Sequence, residues 1–142
     1  MKSLKNKFLL TVFCLSFFMP IHGRSQEKRL SKPKRYSKIE SADKFVDITY
    51  KLYNKVYVHD SLTHVGVEIP GDLEAELFES AQNDVDSLWQ VFPDIIDDIA
   101  NSKTSFVNKG RATLNLNKAK KALKYCVLYI KNTLVGTNEE DD

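Results

Sequence analysis

SADKFVDITYKLYNKVYV, residues 41–58, sets the fold class of this chain. At 100° per residue, Phe45, Val46, Ile48, Tyr50, Leu52, Tyr53, Val56 and Tyr57 occupy one half of a cylinder. Lys44, Asp47, Lys51, Asn54 and Lys55 occupy the other. That division at the helical period marks an amphipathic helix laid on a core. Ser41 stands where a helix cap belongs, and one flank of the buried half is three tyrosines wide.

Downstream, HDSLTHVGVEIP (residues 59–70) loses the helical period. Val65, Val67 and Ile69 alternate with Gly66 and Glu68, but an isolated strand has nothing to pair with, so a packed loop is expected. A second helix follows Pro70-Gly71, with Asp72 as cap and Glu74 and Glu76 near the positive end of its dipole. Its Leu77, Phe78, Ala81, Val85, Leu88, Trp89 and Phe92 share an arc of about 120°. Pro93 predicts a break and a short third helix over 93–100. Ile95, Ile96 and Ile99 would face inward there, and Asp94, Asp97 and Asp98 outward. Residues 101–113, with Gly110 and many small polar side chains, read as a loop. The last helix spans about 115–135 on a stripe of Leu116, Ala119, Leu123, Cys126, Val127, Ile130 and Leu134, with Gly136 as its stop. The expectation is an all-α fold, a small up-and-down bundle of three long helices plus one short helix, over residues 41–136.

Upstream, residues 1–25 have the three parts of a signal peptide. Lys2, Lys5 and Lys7 precede an apolar run over 8–21 (FLLTVFCLSFFMPI). A bilayer-crossing helix needs about twenty apolar residues, more than this run supplies. Gly23 and Ser25 then suit a cut before Gln26. Cys14 lies mid-run and does not fit a lipoprotein site. The expected product is exported, periplasmic or extracellular. It begins with a flexible basic linker over 26–40, which holds Pro33 and no apolar period, and ends in an acidic disordered tail over 137–142. The chain has no Asn-x-Ser/Thr sequon, which favours a bacterial envelope.

Cleavage removes four basic residues and no acid, so 21 basic and 19 acidic residues become 17 and 19, and the formal charge moves from +2 to −2. No basic excess is left to attract nucleic acid. Cys126 becomes the sole cysteine, so an internal disulfide is excluded and packing must hold the domain. On an apolar stripe this thiol reads as a small buried hydrophobe.

Charge along the chain falls in blocks. Residues 26–59 carry nine basic and four acidic side chains, 60–98 eleven acidic and no basic ones, and 99–138 eight basic and no acidic ones. One explanation is complementary edges between neighbouring helices; the other is a pair of oppositely charged faces that recruit partners. A surface ion pair contributes only about 0–1 kcal/mol, against about 1.5–3 kcal/mol for a buried Leu or Phe. The blocks therefore cannot hold the fold, though they can select which helices adjoin. Tyr125 and Tyr129, opposite the main stripe and among lysines, are candidates for a partner-binding surface. Burial of the last helix on two sides would explain them equally well, and Leu128, also off the stripe, favours that second explanation.

Chemistry is thinly represented. His59, Asp60 and His64 cluster, but the spacing matches no metal-site pattern and a five-residue gap splits the imidazoles between helix faces. Asp94, Asp97 and Asp98 lack the glycine and closing glutamate of a calcium loop. No nucleophile elbow or phosphate-cradling loop occurs. The sequence thus predicts no enzyme, no metal and no cofactor. It predicts an exported, non-enzymatic helical module of the bacterial cell envelope that binds a protein partner, basic in character, through Asp94, Asp97 and Asp98 and through Tyr125 and Tyr129, with the basic linker over 26–40 as a further contact surface. An inhibitor or immunity-type protein using the same acidic face is the alternative, and a ligand or metal carrier built on the His59–His64 segment a third class.

Overall fold

A computed structural model describes residues 28–136 of the chain. The expected signal peptide and acidic tail lie outside the described residues. Three helices make up the fold: α1 (Glu40–His64), α2 (Gly71–Asn101) and α3 (Phe106–Gly136). Each packs on the other two, α1 against α3 most extensively. The connections over 65–70 and 102–105 are too short to join anything but neighbours of opposite direction. The all-α bundle expected from periodicity is therefore present, with three helices where four were expected.

The differences lie at the ends. α1 runs through His64, beyond the expected end near Val58. Ser61 and Thr63 donate their hydroxyls back to the carbonyls of Tyr57 and His59, which occupies the polar side chains that seemed to announce a loop. The real stop is Gly66, at φ +77°. Its N–H reaches the Thr63 carbonyl at 3.0 Å and the Val67 N–H reaches that of Leu62 at 3.0 Å. Those two bonds close a Schellman turn. At the other end, Ser41 is not the cap. The Asp43 carboxylate instead accepts the N–H and hydroxyl of Ser37 at 2.8 Å each and the Lys38 N–H at 3.0 Å.

Pro93 lies inside α2, so the expected short helix is the continuation of the second. A proline costs a helix interior about 3 kcal/mol. Val85, Leu88, Ile95 and Ile99, all buried on one line across it, each contribute about 1.5–3 kcal/mol. A break would swing two of them off the core, so burial wins. Asp72 is likewise inside the helix and Pro70 occupies the cap position. α3 begins nine residues earlier than expected: the Ser105 hydroxyl accepts the Asn108 N–H at 3.3 Å, and Gly110 sits within the first turns.

Leu52, Tyr53 and Val56 of α1, Val85 and Leu88 of α2, and Leu116, Leu123 and Ile130 of α3 form the core. Ala112, Ala119 and Ala122 are fully covered, and their small side chains let α3 lie close to its neighbours. Ile48, Ile96 and Leu134 were expected inside and are exposed; Ile48 and Ile96 sit at the edges of their stripes, and Leu134 lies near the end of α3.

The segment 28–39, expected to be a flexible basic linker, lies along the bundle as a strap. Leu30 donates its N–H to the Tyr53 hydroxyl at 2.8 Å, and the Tyr50 hydroxyl donates to the Ser31 carbonyl at 3.1 Å. Arg29 stacks over the Tyr57 ring at 5.4 Å. On the α3 side, Asn115 donates to the Arg35 carbonyl at 2.8 Å. The tyrosine flank of α1 is thus the surface on which the strap docks.

Candidate functional site

Asp94, Asp97 and Asp98 are all exposed on the outer side of α2. The helical register explains this, because Ile95 and Ile99 turn into the core and carry the three aspartates to the opposite face. Val91, exposed, lies at one margin of that face. Asp98 also lines an open depression of about 590 Å³ beside Lys44, Asn101 and Ser102.

None of the three carboxylates is engaged in a hydrogen bond or ion pair among the described residues. Glu74 is the one α2 carboxylate within ion-pair distance of a basic side chain there, His59, at 3.3 Å. The lysines of α3 that reach α2 meet no carboxylate: Lys120 lies over the Phe92 ring at 5.3 Å, and Lys109 donates to the Ala100 carbonyl at 2.7 Å. Among the described residues, then, no α2 carboxylate other than Glu74 is paired with a basic side chain of a neighbouring helix.

Tyr125 and Tyr129 are placed differently from the aspartates. Both are half-buried at the seam of α3 with α1, nearly parallel to each other at 6.4 Å. Tyr125 donates its hydroxyl to Asp60 and meets the Tyr53 ring edge-on at 5.2 Å. Tyr129 and His59 Nδ1 are hydrogen-bonded at 2.8 Å, in a direction set by the imidazole tautomer. Glu74, His59 and Tyr129 thus bring one polar side chain from each helix to a single node, walled by the Phe78 ring at 5.1 Å from the imidazole. The two tyrosines belong to the interior of the bundle rather than to the face that carries the aspartates. Leu128, in contrast, is 60% exposed and does not share their burial.

Three side chains on this side of α3 hold their protons more tightly than usual. Burial, and then the Asp60 carboxylate, push the Tyr125 phenol well above its ordinary range, and burial raises Tyr129. The Cys126 thiol is fully covered, and burial pushes it up to about 12. These groups hold their protons at neutral pH and present no anionic nucleophile. His59 is buried while His64 is exposed at the end of α1. Among the described residues no three His, Cys, Asp or Glu side chains gather as metal ligands, and no helix there is long and apolar enough to cross a membrane.

Sequence reasoning missed a further surface. Val58, Leu62 and Leu73, all exposed, line an apolar groove of about 570 Å³ between α1 and α2 with Ile69 and Leu77. Its only early signal was the apolar content of residues 58–73, of which 59–70 read as a packed loop until α1 is seen to extend through His64. Comparison with protein families, curated proteins and solved structures finds no match to this chain.

Proposed function

We propose that this chain is an exported, non-enzymatic interaction module of the bacterial cell envelope that binds a basic protein partner through the outer face of α2. One observation carries the reading: Asp94, Asp97 and Asp98 stand exposed and unpaired although the basic helix α3 packs beside α2. Uncompensated charge of one sign on a rigid helix steers an oppositely charged surface toward it. Val91 at its margin supplies apolar contact. Export rests on the sequence of residues 1–25.

The test is capture from envelope extracts at rising salt, with D94K/D97K/D98K beside the wild type. The wild type retains a defined basic protein at low salt and releases it as salt screens the contact; the reversed protein does not retain it. Equal retention by both proteins with the same salt dependence would remove the acidic face from the account.

A further inference from the structure

The docked strap and the first turns of α3 enclose an open cleft of about 710 Å³. Lys32, Lys34 and Arg35 line it from the strap, and Arg111 and Lys118 from α3, with no carboxylate among its lining residues. Lys32 is compensated from outside the cleft by Asp47 at 2.7 Å. Arg111 directs one nitrogen to the Tyr36 carbonyl at 3.5 Å and to Asn108 at 3.4 Å. Lys34, Arg35 and Lys118 are exposed and have no partner side chain among the described residues. Between the two walls, Val107 and Leu114 are 65% and 66% exposed.

We propose that this cleft binds an acidic, extended segment of a partner protein. Its carboxylates would meet Lys34, Arg35 and Lys118, and one apolar side chain would rest on Val107 and Leu114. The placement of charge favours such a ligand over a single anionic group. Arg111 and Lys118 are seven residues apart, about 10 Å along a helix, and the strap spreads its cations along the facing wall. One phosphate or carboxylate would meet them singly, whereas an extended chain with several carboxylates meets them together. Guanidinium–carboxylate pairing adds geometric selectivity, as in other acidic-motif recognition. Two exposed apolar side chains match one anchor and are too few to hold an acyl chain. The site exists because the strap is docked, and its sign is opposite to that of the α2 face, so it takes a different partner from the one proposed above.

Fluorescence anisotropy of a labelled eight-residue peptide of aspartate and glutamate with two leucines tests this. The wild-type protein binds it saturably, and more weakly as salt rises. K34E/R35E/K118E, whose altered side chains make no bond in the fold, binds about tenfold to a hundredfold more weakly. Leu114→Ala, at an exposed position, binds it severalfold more weakly. D94K/D97K/D98K binds as the wild type does, which separates this site from the α2 face. No binding up to about 1 mM peptide, or wild-type affinity in both K34E/R35E/K118E and L114A, overturns the proposal. Tighter binding to phosphatidylglycerol vesicles than to the peptide, lost in K34E/R35E/K118E, would assign the cleft to a membrane surface and overturn it as well.

Discussion

His59 shows how a residue with a functional appearance serves the fold. It is 4% exposed; its Nδ1 is hydrogen-bonded to Tyr129 of α3, while Nε2 lies 3.3 Å from Glu74 of α2 without making a hydrogen bond. A buried polar group left without a partner costs about 1–3 kcal/mol, so the Tyr129 bond helps to fix α3 against α1 at this point. Cys126 nearby has a pH consequence. Below its ordinary value of 9.0 the thiol is protonated in folded and unfolded chains alike, and stability does not depend on it. As pH rises from there to about 12, the unfolded chain releases the proton and the folded chain keeps it, so stability falls. The raised tyrosines Tyr50, Tyr53, Tyr125 and Tyr129 act in the same direction at still higher pH. Urea midpoints measured across this alkaline range should decline, and Cys126→Ala should decline less steeply from its own starting value. The burial of Cys126 was legible in its stripe. The places of Tyr125 and Tyr129 were not, because spacing says which side of a helix a residue takes and not which helix lies against that side.

Element interiors were legible and element ends were not, for related reasons. The stripes of α1, α2 and α3 repeat at the helical period wherever a neighbour covers them. Residues 59–64 lose that pattern because most of them face solvent, though the backbone continues and Gly66 closes it. Strap residues 28–39 show no period at all, since single anchors such as Leu30 N–H on Tyr53 hold them. Pro93 is the sharpest disagreement between local preference and packing. If α2 is continuous and carries the cost of its proline for the sake of Val85, Leu88, Ile95 and Ile99, then Pro93→Ala should stabilise the protein by about 1–3 kcal/mol. Thermal or urea unfolding measures this directly. A loss of stability in that variant would mean that the chain turns at residue 93.

At the scale of the whole molecule, the charge blocks become surfaces of opposite sign: the outer face of α2 and the cleft between strap and α3. The acidic side was legible in the sequence, since a run of carboxylates on a helix must appear outside. The basic cleft was not, because it forms between two segments some seventy residues apart that meet only in the fold. The bundle can hold both surfaces because its stability comes from the apolar stripes, and surface substitutions away from specific contacts usually change stability by no more than about 0.5 kcal/mol. The central claim is that Asp94, Asp97 and Asp98 contribute nothing to the fold and are kept for contact outside it. Urea denaturation of D94K/D97K/D98K tests that most directly. A midpoint equal to or above that of the wild type is the predicted result, because acids near the negative end of the α2 dipole give way to bases and no pair is broken. A loss of more than about 1 kcal/mol, beyond the usual surface range, would show that the aspartates pair within the bundle and would contradict the account.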